Sequence, residues 1–257
     1  MSPDKRSKRQ ERRERMHRRE SRNRLITIGV IIVVAAFLVF AVVWPQIKPI
    51  AEVVAVDPNP RPNADRNMAG DANAPIKIEE FADFQCPFCE RFFEQTEPLL
   101  MEHYVKTGKV QFVYRSMGNW VSRNMGGART ESQDAAAAAY CAADQGKFWE
   151  MHDALFTNVL GEDVGSFTDR RLAGIAEKVG LDMNEFNNCY NSGKYANQVQ
   201  QDMEDGMAAG ISGTPGFLIT YTVNGQTKTD TISGAEAFST FQQKFEAILN
   251  EIGAASS

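Results

Sequence analysis

The chain has 257 residues, with 28 Lys and Arg against 33 Asp and Glu, 43% hydrophobic residues and four cysteines. That length can bury a real core, and the ordinary charge, glycine and proline content excludes global disorder, collagen and low-complexity architectures. Four cysteines in so long a chain do not make a small disulfide-stapled scaffold. The net charge of −5 hides an asymmetry: residues 1–24 hold 11 Lys and Arg and 4 Asp and Glu, a net of +7, leaving −12 on the rest. An acidic body argues against nucleic acid as a partner.

Residues 25–44, LITIGVIIVVAAFLVFAVVW, run without a charge. A helix of that length spans roughly 30 Å, the hydrocarbon thickness of a bilayer. Trp44 suits the membrane–water interface. A cleaved signal sequence would have a shorter apolar run ending in small residues, whereas this one ends in AVVWPQ. The segment is therefore read as an uncleaved transmembrane helix in the inner membrane. The basic residues 1–24 stay in the cytoplasm by the positive-inside rule, and everything after Trp44 is extracytoplasmic. Residues 45–70 hold five prolines and read as an extended tether, with the folded domain starting near Gly70 to Ala74 and running from 71 to 257.

In the exported part, IKIEEFADF from Ile76 has strand character, and Pro87 sits where a helix can begin. The run FCERFFEQTEPLLMEHYVKTG has helical spacing that puts Phe88, Phe92, Leu99 and Tyr104 inward, with Pro98 expected to kink or break it. KVQFVYR, residues 109–115, alternates as a second strand. An Ala-rich region from about 128 to 210 carries five helical segments. GFLITYTV and QTKTDTI then form a hairpin through Asn224-Gly225. A final amphipathic helix spans Ala235 to Ile252, with Phe238, Phe241, Phe245 and Ile248 on one side. The order β-α-β, helical block, β-β-α predicts an α/β fold with an all-helical insertion domain, containing a parallel strand pair and a terminal antiparallel hairpin.

Cys86-Pro87-Phe88-Cys89 carries the chemistry. Placed between a strand and a helix, Cys86 meets free N–H groups and partial positive charge, which favour thiolate over thiol. A depressed pKa makes Cys86 a good leaving group and tips the pair toward oxidising other thiols, while Cys89, one turn on, can resolve a mixed disulfide. Zinc would need two more close ligands, and His17, His103 and His152 lack ligand spacing, so no metal is expected. A merely structural bridge in so short a ring would add little stability. Cys141 and Cys189, 48 residues apart and both in an oxidising compartment, are expected to pair as a structural disulfide. Phe88, Phe92, Phe93, Met117, Trp120 and Met125 are divided between core and an apolar groove.

The stretch EEFADFQCPFCERF resembles the active-site strand and helix of the thioredoxin superfamily, in its exported DsbA-like branch, where a helical domain interrupts the fold. Gly213-Thr214-Pro215-Gly216 before a strand is similar to that family's cis-proline loop. The resemblance covers roughly residues 71–252. It implies a thiol:disulfide oxidoreductase with Cys86 and Cys89 catalytic, Thr214 and Pro215 holding the substrate backbone, and Phe88 beside them. Glu80 matches the family's buried acid, a proton relay for Cys89; alternation from Ile76 and Ile78 puts it on their face, although a solvent-facing Glu80 or Asp83 in the role are alternatives. No cofactor is implied. The implied partners are exported proteins with cysteines and a membrane-embedded, DsbB- or VKOR-like protein that recycles the dithiol. Phe88 stands where the founding oxidase has histidine, so that source of positive charge is missing. The other readings are a reductase or isomerase kept reduced by a membrane donor, and a binding module or chaperone without turnover.

Overall fold

Residues 76–82 and 110–116, dominated by β-branched and aromatic side chains, form the parallel pair at the centre of a five-stranded sheet. The computed structural model describes residues 3–47, 49–124, 126 and 130–255. Two compact units divide the chain, Met1–Ile50 and Ala51–Ser257. In the first, helix α1 (Pro3–Ile47) is continuous, so the basic arm and the apolar run share one helix. Its stretch Arg18–Trp44 is long and apolar enough to cross a membrane, and none of its most apolar window is buried. That is consistent with a single membrane anchor.

The second unit contains β1 (Met68–Ala69), β2 (Ile76–Ala82), α2 (Pro87–Gln95), α3 (Glu97–Leu100), β3 (Val110–Ser116) and α4 (Trp120–Asn124). The helical insert follows as α5 (Glu131–Ala143), α6 (Phe148–Thr157), α7 (Asp169–Val179), α8 (Met183–Asn191) and α9 (Ala196–Ala208). The chain closes with β4 (Gly216–Val223), β5 (Gln226–Ser233) and α10 (Phe238–Ala255). Strand order is β1-β3-β2-β4-β5, with β2 and β3 parallel and the other pairs antiparallel. The architecture is a thioredoxin fold with a helical insertion and an N-terminal apolar helix. Asn224 and Gly225, at φ 52° and 75°, make the left-handed turn of the β4–β5 hairpin.

Register fixes which side chains meet. Tyr114 on β3 and Phe217 on β4 flank Glu80 on β2, so all three share one face of the sheet. Phe92 of α2 and Phe241 of α10 cover that face, with ring centroids 4.7 Å and 4.9 Å from Phe217. On the opposite face Arg115 binds Glu79 at 3.0 Å and Asp202 of α9 at 2.7 Å. Gly206 lets α9 approach, since a Cβ there would lie 2.7 Å from the Phe81 ring.

The proline-rich stretch does not hang free after Ala51. Arg171 donates to the Ala51 carbonyl at 2.7 Å, Val54 and Asn158 bond each other in both directions, and Arg61 is buried. Prolines leave this segment's backbone groups for the domain's side chains to satisfy, so it lies along the domain as a strap. The helix after Cys86 breaks at Thr96, two residues before Pro98, which then occupies the first turn of α3, where its missing N–H costs nothing. The break resets the helical phase, and Leu99, expected inward, is 41% exposed. Phe88, also expected inward, lies on the solvent side of the first turn of α2 and is 53% exposed, with the Arg91 guanidinium 5.1 Å from its ring centre. Met125 lies outside the described residues.

Cys141 on α5 and Cys189 on α8 are bonded, joining two helices of the insert. Closing a loop of 48 residues is worth roughly 4 kcal/mol on the chain-entropy account. Replacing both by serine is expected to cost roughly 3–4 kcal/mol, read as a lower urea midpoint with a steeper slope because the unbridged unfolded chain exposes more surface, with the reactivity of Cys86 unaltered.

Candidate active site

Strand β2 ends at Ala82, and the chain turns through Asp83, Phe84 and Gln85 before α2 begins at Pro87. Cys86 is the residue before the helix, in extended conformation at φ −76°, ψ 120°. Its turn is tied by its own N–H to the Asp83 carbonyl at 2.9 Å. From this position the first N–H groups of α2 point at Cys86 Sγ. Thr214 lies beside it across the sheet: the Thr214-Pro215 peptide bond is cis, and the Cys86 thiol donates to the Thr214 carbonyl at 3.3 Å.

Both Cys86 and Cys89 are free and buried, but their hydrogen bonding differs. A hydrogen bond from Cys89 lowers the Cys86 pKa from 9.0 to about 6 against the opposing effect of burial, helped by the Thr214 side chain and the backbone N–H groups of Cys89 and Phe88. Cys89 is fully buried, and burial pushes its thiol well above its ordinary value, with the neighbouring Cys86 and Glu80 adding to the rise. One sulfur is thus held as a thiolate near neutral pH and the other as a thiol. That is the division of labour needed by an attacking and a resolving cysteine.

Glu80 is buried under this pair. Loss of hydration raises its pKa well above the carboxylate range, reinforced by Glu97, and its Oε2 has no hydrogen-bond partner. Asp83 is also buried and is raised to about 7, chiefly by desolvation. Its oxygens, however, accept from the backbone N–H groups of Gln85 and Val121, both at 2.9 Å. Asp83 therefore pins the first turn of α4, while Glu80 has an oxygen available for a proton. The solvent-facing alternative for Glu80 does not hold, because β2 is an interior strand with helices over that face.

An open cleft of about 370 Å3 leads to Cys86, lined by Phe88, Trp120, Val121, Asn124, Glu162 and the 212–214 loop. Of the aromatic and methionine side chains divided between core and groove, Phe88 and Trp120 line the cleft, whereas Phe92, Phe93 and Met117 are buried. Several residues of the site escaped the sequence reading. Gln85 is buried and donates to Ser122 and Ser132 at 3.1 Å and 2.8 Å, locking the active-site turn to the insert. Glu97, His152 and Arg61 gather below Glu80, and ligand atoms of Glu80, Glu97 and His152 lie within 4.8 Å of one another. Their positions on β2, α3 and α6 share no spacing that a motif could reveal. Among the described residues this trio is the place where a cation could be held, but the Arg61 guanidinium already bonds Glu97 there.

Alkylation of Cys86 by iodoacetamide is expected to be half-maximal near pH 6, and Phe88→His, by adding positive charge at the cleft, to move the midpoint lower. A midpoint near 9 contradicts both. Folding lowers this pKa, so ionisation of Cys86 favours the folded dithiol form; the contribution is complete above pH 9 and is lost as pH falls through 6. The melting temperature of the dithiol form, relative to that of Cys86→Ser, should therefore fall across that window.

A family model described as thioredoxin matches residues 63–241, more than half of the chain. The chain is 34% identical over 168 residues to a Na(+)/H(+) antiporter NhaA 3 of Salinispora tropica, covering 65% of this chain and 22% of that protein. It thus spans about a fifth of the length of that curated relative. A probable disulfide bond formation protein D of Bacillus anthracis is 24% identical over 206 residues, covering 77% of this chain and 89% of that one. Among solved structures, alpha-DsbA1 of Wolbachia pipientis superposes with a TM-score of 0.63 at 21% identity, covering 77% of this chain and 97% of that one. With a family model matched over most of its length, its cis-proline loop and its Cys-x-x-Cys pair at the head of a helix, the chain belongs to the thioredoxin family.

Proposed function

We propose that this protein is a membrane-anchored thiol:disulfide oxidoreductase that oxidises exported proteins through the Cys86–Cys89 pair. The observation that carries the reading is the placement of the two sulfurs: Cys86 at the head of α2, beside the cleft and the Thr214 carbonyl, and Cys89 one turn on and fully buried. In the disulfide form, a substrate thiolate attacks Cys86 Sγ, the Cys86–Cys89 bond breaks, and Cys89 leaves and takes a proton, with Glu80 as the nearby donor. A second substrate thiolate then attacks the sulfur bonded to Cys86, and Cys86 leaves as a thiolate. The substrate loses two electrons and gains a disulfide, and the enzyme is left as the dithiol. A thiolate with a pKa of about 6 is a good leaving group, and its stability in the dithiol form favours the oxidising direction. Thr214, whose peptide bond to Pro215 is cis, and Phe88 both line the cleft, which suits Thr214, Pro215 and Phe88 to flank the substrate backbone.

The basic residues before the apolar helix support a cytoplasmic N-terminus and an extracytoplasmic domain. Recycling then requires a membrane-embedded acceptor of the DsbB- or VKOR-like kind, able to take two electrons from the dithiol. The names of relatives, disulfide bond formation protein D and alpha-DsbA1, support the same direction.

Acid quenching of cells followed by thiol alkylation separates the rivals. The oxidase reading expects Cys86–Cys89 mainly as disulfide; a mainly dithiol population identifies a reductase or isomerase. With reduced, unfolded ribonuclease, Cys86→Ser should lose catalysis by at least about a hundredfold. Retained activity would mean a binding module that does not use its dithiol.

A further inference from the structure

Below the dithiol, three buried side chains end in polar atoms without a hydrogen-bond partner among the described residues: Glu80 Oε2, Glu97 Oε2 and His152 Nε2. Unpaired buried polar atoms are costly, and a cluster of them calls for an explanation. Glu80 belongs to β2, Glu97 to the first turn of α3 and His152 to α6. The charge that meets them comes from outside all three elements. Arg61, on the strap that precedes the domain, is only 3% exposed; its Nη2 bonds Glu97 Oε1 and lies 3.0 Å from Asp153 Oδ1. The guanidinium stacks 4.8 Å from the centre of the Trp149 ring, and its chain position is fixed by Asn59, whose N–H donates to Asp153. His152 Nδ1 lies 2.9 Å from the same Asp153, and Tyr114 flanks Glu80 with its hydroxyl unpaired.

We propose that Glu97 and Arg61 are positioning residues for the exchange reaction, together setting the proton affinity of Glu80 and hence the ease with which Cys89 gains or loses its proton. The proposal rests on the reading of Cys86–Cys89 as an exchanging dithiol. Ionised Glu97 makes a second negative charge on Glu80 unfavourable, and Arg61 makes it favourable. The electrostatics run in the same sense: Glu97 raises the Glu80 pKa, Arg61 lowers it, and Glu80 in turn raises that of Cys89. The groups facing Glu80 are then Cys86 before α2 and Cys89 within it, Tyr114 from β3, Glu97 from α3, His152 from α6, and Arg61 from the strap, with Asp153 of α6 behind Arg61 and His152. When Cys89 attacks the sulfur of Cys86 in a mixed disulfide, its proton passes to the Glu80 carboxylate and the substrate sulfur leaves with the bonding pair. The step is fastest when Glu80 is ionised, so its rate rises with pH through the Glu80 pKa.

The test uses the full-length chain in detergent. Glutathione disulfide is added to the dithiol protein, and release of the second glutathione by Cys89 is followed against pH. Glu97→Gln is expected to move the break in that profile down by about one pH unit, and Arg61→Gln to move it up by a similar amount. Arg61→Lys should restore most of the shift, and Cys86 alkylation should keep its midpoint in every variant. A structural role alone would lower the stability of both variants without moving the two breaks in opposite directions. Breaks that stay in place, or shift together, overturn the proposal while leaving the exchange activity intact. Failure of the wild-type protein to release glutathione at any pH overturns the functional reading itself, and this proposal with it. Should Arg61→Gln not fold, Arg61→Lys and Glu97→Gln still decide: the first must track wild type and the second must move down.

Discussion

Cys86 and Cys89 are one helical turn apart, yet water, hydrogen bonds and charge treat them as different chemical species. Cys86 lies at the open end of a helix, where unsatisfied N–H groups and a neighbouring thiol stabilise negative charge. Cys89 lies inside the same helix against the sheet, where negative charge has no solvation at all. The strand must stop at Ala82 and the helix must start at Pro87 for this to happen. A start one residue later would move Cys86 away from the N–H groups.

The rest of the domain holds that helix start in place from several sides. Asp83 accepts two backbone N–H groups and ties the active-site turn to the first turn of α4. Gln85 joins it to the insert, and the Thr214 carbonyl closes it from the strand β4 side. The insert is therefore part of the active site's frame, because its side chains fix the turn that carries Cys86. Beneath, Glu80 occupies a position in the middle of the sheet that would ordinarily hold an apolar residue. The strap reaches the same place with a guanidinium, which tempers the burial of acid there.

Much of this was legible from the residues in order. Periodicity located the strands, the five helices of the insert and the last helix to within a few residues, since each buries a continuous apolar face. Asn224-Gly225 fixed the hairpin, and Cys-Pro-Phe-Cys fixed the helix start. What stayed hidden had no local signal. Met68–Ala69 is a two-residue strand and Trp120–Asn124 a single turn of helix, both too short to show a period. Arg61 sits among prolines and reads as a charge on a linker, and Glu97 before Pro98 reads as the exposed face of a helix. Both are buried because segments distant in sequence fold over them. Phe88 points outward, against the inward phase that its spacing predicts, because the first turn of α2 is open to solvent.

The bond between Cys141 and Cys189 gives one domain two kinds of sulfur chemistry. Cys141 is enclosed by the insert, so a reductant too bulky to enter does not reach it, whereas Cys86 opens onto a cleft. The cross-link therefore stands while the other pair changes partners, and the scaffold around the active-site turn keeps its shape in both redox forms.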